Sequence, residues 1–274
     1  MTTNDNNAIK PRGDIDMSMD PGMLLPHVET LKPGTPGNIV LESARQAMTT
    51  LYKETALMID ARNNAYKNQS PGDIAALQRL KHGLKPGNNM PPNAVMGPEG
   101  ITMLLPNARQ LNEAFDLSFK RAATTFDTLH KRAIETHETI VKSVAERIVD
   151  AEGTKPARIA AASETRALLR GMKSSERGNL IRTAIESGDI ATAHAVLTTA
   201  PFLWGGDAKE QAAYRAFAEI KFAPDQTAQR DAVVRVLEKM RNASSSFVDK
   251  YAKVKVPERR NENDETLAAL RKGA

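Results

Sequence analysis

Between Asn107 and Asp150 the chain contains neither glycine nor proline. Its apolar residues return at steps of three and four: Leu111, Phe115, Phe119, Ala122, Phe126, Leu129, Ala133, Ile140, Val144 and Ile148. That period lays them on one face of a helix. At about 1.5 Å per residue such a helix reaches roughly 65 Å. One compact partner does not cover that length. The stretch therefore predicts a rod, a coiled coil or a helix shared between subunits, with these residues as its oligomer seam. The plainer alternative is a helix packed in an α-helical bundle. From Phe115 to Ile140 the spacing fits heptads apart from Thr136, and then Ile140, Val144 and Ile148 run in fours, so the seam drifts as at a stutter. Pro106, Asn107 and Gln110 mark the start in capping-box spacing, and Gly153 and Pro156 mark the stop.

Composition agrees with closely packed helices. Hydrophobic residues make up 41% of the chain but aromatics only 4%, and alanine and methionine supply much of the apolar content. The expected fold is all-α: an extended helical bundle built around one long central helix, with an irregular N-terminal arm. The formal net charge of +5 is mildly basic, which is compatible with a surface that meets nucleic acid. There is no cysteine, which excludes disulfides, zinc–thiolate sites and thiol catalysis. The polar stretch Met1–Asp20 lacks the apolar centre of a signal peptide, and no run has the length of a membrane span. The expectation is a soluble chain made in the cytoplasm, with no membrane partner.

Taken in order, the chain divides into four parts. Residues 1–37 form an arm in which Pro21, Pro26, Pro33 and Pro36 oppose regular structure. It still carries Met17, Met19, Met23, Leu24, Leu25, Val28 and Leu31, so it should lie on a partner or on its own body. Arg12-Gly13-Asp14 spells a cell-adhesion tripeptide, a match short enough to arise by chance. Residues 38–152 form the long-helix region. Asn38 caps a helix to about Tyr66 with a seam at Leu41, Ala44, Met48, Leu51, Thr55 and Met58. A short helix Ile74–His82 and an irregular loop at 84–101 follow. Residues 153–256 form a C-terminal helical domain punctuated by Gly171, Ser175, Gly188, Asp189, Asp207 and Pro224. Its last helix buries Val233, Leu237, Met240, Phe247, Tyr251 and Val254. Residues 257–274 form a charged tail.

Two features near the C-terminal end are candidate contact sites. Phe202, Leu203 and Trp204, in the most apolar turn of the chain, are candidate interface anchors, because tryptophan is enriched at binding hot spots. A turn tucked into the helical core is the competing reading. Lys250, Lys253, Lys255, Arg259 and Arg260 form a basic cluster suited to phosphate contact, although Glu262, Asp264 and Glu265 follow and favour a solvated tail. Lys253-Val254-Lys255-Val256 alternates like a short strand.

Catalytic signatures do not come together. His137-Glu138 opens like a zinc-protease helix, but Val141 stands where the second histidine must face the metal. No Glu-x-x-His pair for a di-iron site, no glycine-rich phosphate loop and no Gly-x-Ser-x-Gly elbow is present. Glu135 and Glu138 lie on a charged outer face and read as solvating groups. The expectation is a non-enzymatic protein with no metal and no cofactor.

The stretch Val196-Leu197-Thr198-Thr199-Ala200-Pro201-Phe202-Leu203-Trp204-Gly205 is similar to Leu-x-x-Ala-Pro turns in uncharacterised phage genes, over roughly residues 165–222. Together with the helical, cysteine-free composition, it resembles structural proteins of tailed-bacteriophage particles. The resemblance implies a virion component: a head–tail connector or adaptor, a collar or an internal protein, assembled as a symmetric homo-oligomer, in the manner of a ring. Portal, tail or capsid proteins would be its neighbours. It brings no catalytic or binding residues with it. The alternative is a scaffolding protein or a nucleic-acid-contacting assembly protein.

Overall fold

A computed structural model describes residues 11–67, 105, 107–148 and 156–258, together with the backbone of 94–97 and 100–103. The fold is all-α. Helix α1 is Pro36–Lys67, α2 is Ala108–Ile148, α3 is Pro156–Gly171, α4 is Ser174–Ser187, α5 is Ile190–Leu197, α6 is Ala208–Phe222 and α7 is Pro224–Val254. The expected long central helix is α2, a single helix of 41 residues. Within the expected loop at 84–101 lies part of an antiparallel hairpin, β1 (Ala94–Gly97) with β2 (Gly100–Met103), Gly97 opposite Gly100. Val95, Met96, Ile101 and Thr102 favour extended backbone, which is why this glycine-bounded segment pairs. The short helix expected at Ile74–His82 and the tail from Arg259 lie outside the described residues.

The described part of the arm is irregular apart from two short 3-10 segments. Met17–Met19 and Pro21–His27 are 3-10 turns, and α1 starts at Pro36, two residues before the expected Asn38 cap. Proline disfavours helix interiors, but its fixed φ suits a 3-10 turn and the first helical position. Ile15, Met19, Leu24 and Leu31 are all buried.

The chain forms two compact units that cut across the expected four-part division: unit 1 is Met1–Met23, Gln46–Thr128 and Met240–Ala274, and unit 2 is Leu24–Arg45 and Leu129–Lys239. Helices α1, α2 and α7 each contribute to both.

In unit 1 these helices pack through Glu54, which accepts from Ser118 and pairs with Arg121, and through Phe119. The Phe119 ring stacks on Phe247 at 5.2 Å and on Tyr251 at 4.1 Å between centroids. Met48, Leu51, Met58, Phe115, Ala122, Phe126, Met240 and Ala243 fill the space between. Thr55 is buried without cost because its hydroxyl donates to Leu51 O. Asn112 ties down the segment after α7: its Nδ2 donates to Val256 O at 2.9 Å and its Oδ1 accepts from Val256 N at 3.0 Å. The strand expected at Lys253–Val256 is therefore not one. Val254 ends α7, and the backbone polar groups of Val256 are taken by a side chain.

In unit 2, α3 to α6 wrap a core containing Leu169, Ile181, Ile185, Val196, Leu197, Trp204 and Ala218, which Val144 and Ile148 of α2 join. Gly188 closes α4 in the left-handed conformation, and Asp189 caps α5 through Ala191 N and Thr192 N. Asp207 and Glu210 form a reciprocal capping box at the start of α6. The C-terminal carbonyls of α5 are capped from α6: Gln211 Nε2 donates to Val196 O and Thr199 O, and Arg215 donates to Leu197 O.

Candidate interaction surfaces

The ten seam residues of α2 lie on its inner face. Phe115, Ala122, Phe126, Ala133, Ile140, Val144 and Ile148 are buried within the single chain, and Leu111, Phe119 and Leu129 are partly buried. This corrects the oligomer-seam assignment: the periodic face is spent on the chain's own core. A second copy would find Leu117, Ile134 and Val141 on the outer face of α2, isolated among charged residues.

The turn Pro201–Trp204 divides its three candidate anchors. Trp204 is fully buried, so it is a core residue and not an anchor. Its ring meets Tyr214 edge-on at 6.1 Å and lies under the Arg177 guanidinium at 5.9 Å. Arg177 is itself buried and pairs with Glu210 at 3.7 Å. Gly205 turns with φ of 82°, and Gly206 lies flat against the indole. The turn is thus fastened from below while Phe202 stands 70% exposed and Leu203 37% exposed.

Among the described residues of the basic cluster, Lys255 is paired with a carboxylate. Lys255 Nζ lies 2.6 Å from Asp116, which also accepts from the Tyr251 hydroxyl. Those two hydrogen bonds, the one from Lys255 foremost, hold the Asp116 carboxyl below its usual range. Lys250 and Lys253 share a small cleft with Asp14, Asp16 and Asp249. A phosphate there would meet carboxylates as well as the two lysines. Arg259 and Arg260 lie outside the described residues.

Sequence reading missed the role of Arg12. Its guanidinium forks onto Asp60 with two bonds of 2.8 Å and onto Asp14 at 3.0 and 2.8 Å, and its backbone N–H donates to the Tyr52 hydroxyl at 2.8 Å. The adhesion-like tripeptide is thereby closed on itself. The knot lowers the carboxyl pKa of both Asp14 and Asp60, with the Arg12 hydrogen bond as the leading cause. A carboxylate depressed in the folded state stabilises above its ordinary value, near 3.9 for aspartate, and that contribution is lost as pH falls through the folded value. Asp60→Asn is therefore expected to lower the melting temperature by a few degrees at neutral pH. The gap should close when both proteins are melted in acid below about pH 3. A gap that persists unchanged in acid would show that the carboxylate charge is not what holds the knot.

A cleft of about 570 Å³ lies in unit 2 between the start of α1 and the middle of α2. Its polar residues include Thr35, Arg132, Glu135, Thr136 and Thr139. The three threonine hydroxyls donate to backbone carbonyls one turn back or nearby, at Lys32, Arg132 and Glu135. Among the described residues no group of three or more histidines or carboxylates is placed to hold a metal ion. None of the helices described is long and apolar enough to cross a membrane. His27 is buried, and burial, followed by the charges of Arg235 and Lys239, pushes its imidazole below the ordinary value.

No protein-family model, curated protein or solved structure matches the chain.

Proposed function

We propose that the protein is a non-catalytic structural component of a tailed-phage particle, such as a head–tail adaptor, collar or internal virion protein. In this reading it assembles with copies of itself and with portal, tail or capsid neighbours through the Phe202–Leu203 knuckle. The long helices are the protein's internal frame. The supporting observation is the knuckle: a large aromatic held in water on a turn whose neighbour, Trp204, is locked into the core. Exposing Phe202 carries a solubility cost with no gain to the fold, and a rigid aromatic loses little entropy when it docks. The phage-like stretch Val196–Gly205 coincides with this turn.

Light scattering behind size exclusion tests the reading. The parent protein is expected to form a defined multimer that survives high salt, because an apolar contact is not screened. Phe202→Ser is expected to weaken assembly by about 30-fold, the effect of losing a hot-spot side chain, with unchanged circular dichroism. A parent that stays monomeric at all concentrations, together with its absence from the mass spectrum of purified particles, would remove the proposal.

A further inference from the structure

Residues Arg12–Met19 run as a strap over the groove between α1 and α7 in unit 1. At one end Arg12 is held by Tyr52 and Asp60 of α1. In the middle, Asp14, Ile15 and Asp16 share a cleft with Asp249, Lys250 and Lys253 of α7. At the far end the Ser18 hydroxyl donates to Ser246 Oγ at 2.8 Å, and Met19 Sδ accepts from Thr55. Ile15 and Met19 are the two apolar anchors, 4% and 0% exposed. The strap therefore carries a complete recognition pattern: a cation, two carboxylates, two apolar side chains four residues apart and a hydroxyl. Arg12, Ser18 and Met19 bond directly to the groove, while Asp14 and Asp16 bond within the strap, to Arg12 and to the Ser18 N–H, and so fix its shape.

We propose that this groove is a peptide seat, occupied in the isolated chain by its own strap, and that the strap of a second copy of this chain takes the seat in trans. The hydrogen bonds that hold the strap to α1 and α7 span sequence separations of 36, 40, 48 and 228 residues. Nothing in their geometry depends on strap and groove belonging to one chain. The ionic end is weak: Arg12, Asp14 and Asp60 side chains are 30%, 42% and 54% exposed, so solvent screens their pairs. Beyond the strap Leu24 and Leu31 are fully buried in unit 2, so the exchanged element ends before Leu24. Exchange of an identical element between protomers is a low-cost route to linked copies, because both states use the same contacts. This exchange does not rest on the Phe202 knuckle or on a particle role.

The absence of cysteine makes cross-linking a clean test. The Oγ atoms of Ser18 and Ser246 lie close enough that two cysteines there reach the disulfide length of about 2.05 Å after small rotations. Full-length Ser18→Cys and Ser246→Cys proteins are mixed under reducing conditions, incubated, then oxidised. The expected product is a disulfide-linked heterodimer, identified by its joined peptides, well above the level given by Ser18→Cys mixed with Leu117→Cys. Its formation should be about tenfold faster near 1 M salt, where the screening length falls to about 3 Å, and faster without salt when Arg12→Ala is added. A heterodimer no more abundant than in the Leu117→Cys control, while the double variant closes within one chain, would show a strap fixed in cis and overturn the proposal. A double variant that does not cross-link at all would show that the seat is not the strap's, and would overturn it equally.

Discussion

Gly206→Ala is expected to cost about 3 kcal/mol or more, the upper range for overpacking a filled core. A Cβ at residue 206 would fall 1.9 Å from the Trp204 ring carbon Cη2 and 2.0 Å from Cζ3. The indole cannot yield, since it is fully buried and sits between Tyr214 and Arg177. The backbone at Gly206 must move instead, which pulls on the Gly206 N–H bond to Pro201 O that closes the turn. Thermal unfolding followed by circular dichroism should show a loss of about 10 °C for a chain of this size. Gly171→Ala is the control: a Cβ there meets nothing within 4 Å, so its melting temperature should be unchanged or slightly higher. Equal melting temperatures for both variants would mean that the turn is not packed on Trp204.

Phe126→Asp is expected to destabilise the fold by roughly 4 kcal/mol, through lost ring burial and an unpaired buried charge. Phe126 is 6% exposed and faces the core of unit 1. If the α2 seam were an oligomer contact, the same change would leave a folded monomer. With the seam buried in one chain, it should lower the urea midpoint and leave little folded protein to assemble. Leu117→Asp, on a side chain 65% exposed, should leave the midpoint where it is. A folded, soluble Phe126→Asp protein with the parent's midpoint would return the seam to the surface.

These two positions show what a sequence conveys. The extent of α2 is legible because glycine and proline are absent inside and present outside. Its inner face is legible because burial imposes a 3.6-residue period. The same holds for α1, whose expected seam from Leu41 to Met58 is buried throughout. Periodicity reports that a face is covered but not which chain covers it. That is why the face of α2 read as a subunit contact when Phe247 and Tyr251, more than a hundred residues on, lie against Phe119. The caps at Asp189 and Asp207 are local and legible. The Trp204–Gly206 contact is equally local, but its sign depends on which way the turn folds. Arg12 with Asp60, and Asn112 with Val256, join distant residues of ordinary type and leave no local pattern. In α7 Ala232, Val236 and Ala243 are also buried and lie outside the expected stripe, because small side chains mark an apolar face weakly.

The strap also sets a schedule during synthesis. Ser18 leaves the ribosome long before Ser246, its hydrogen-bond partner 228 residues later. At about 5–20 residues per second that gap lasts roughly 10–45 s. For that interval Ile15 and Met19 have no groove to enter, because α7 does not yet exist. On a message carrying several ribosomes, finished chains stand nearby with grooves of the same shape. In the exchange proposed above, a nascent strap is captured by an older sibling before its own seat is made, which would join chains translated together in the order of their birth.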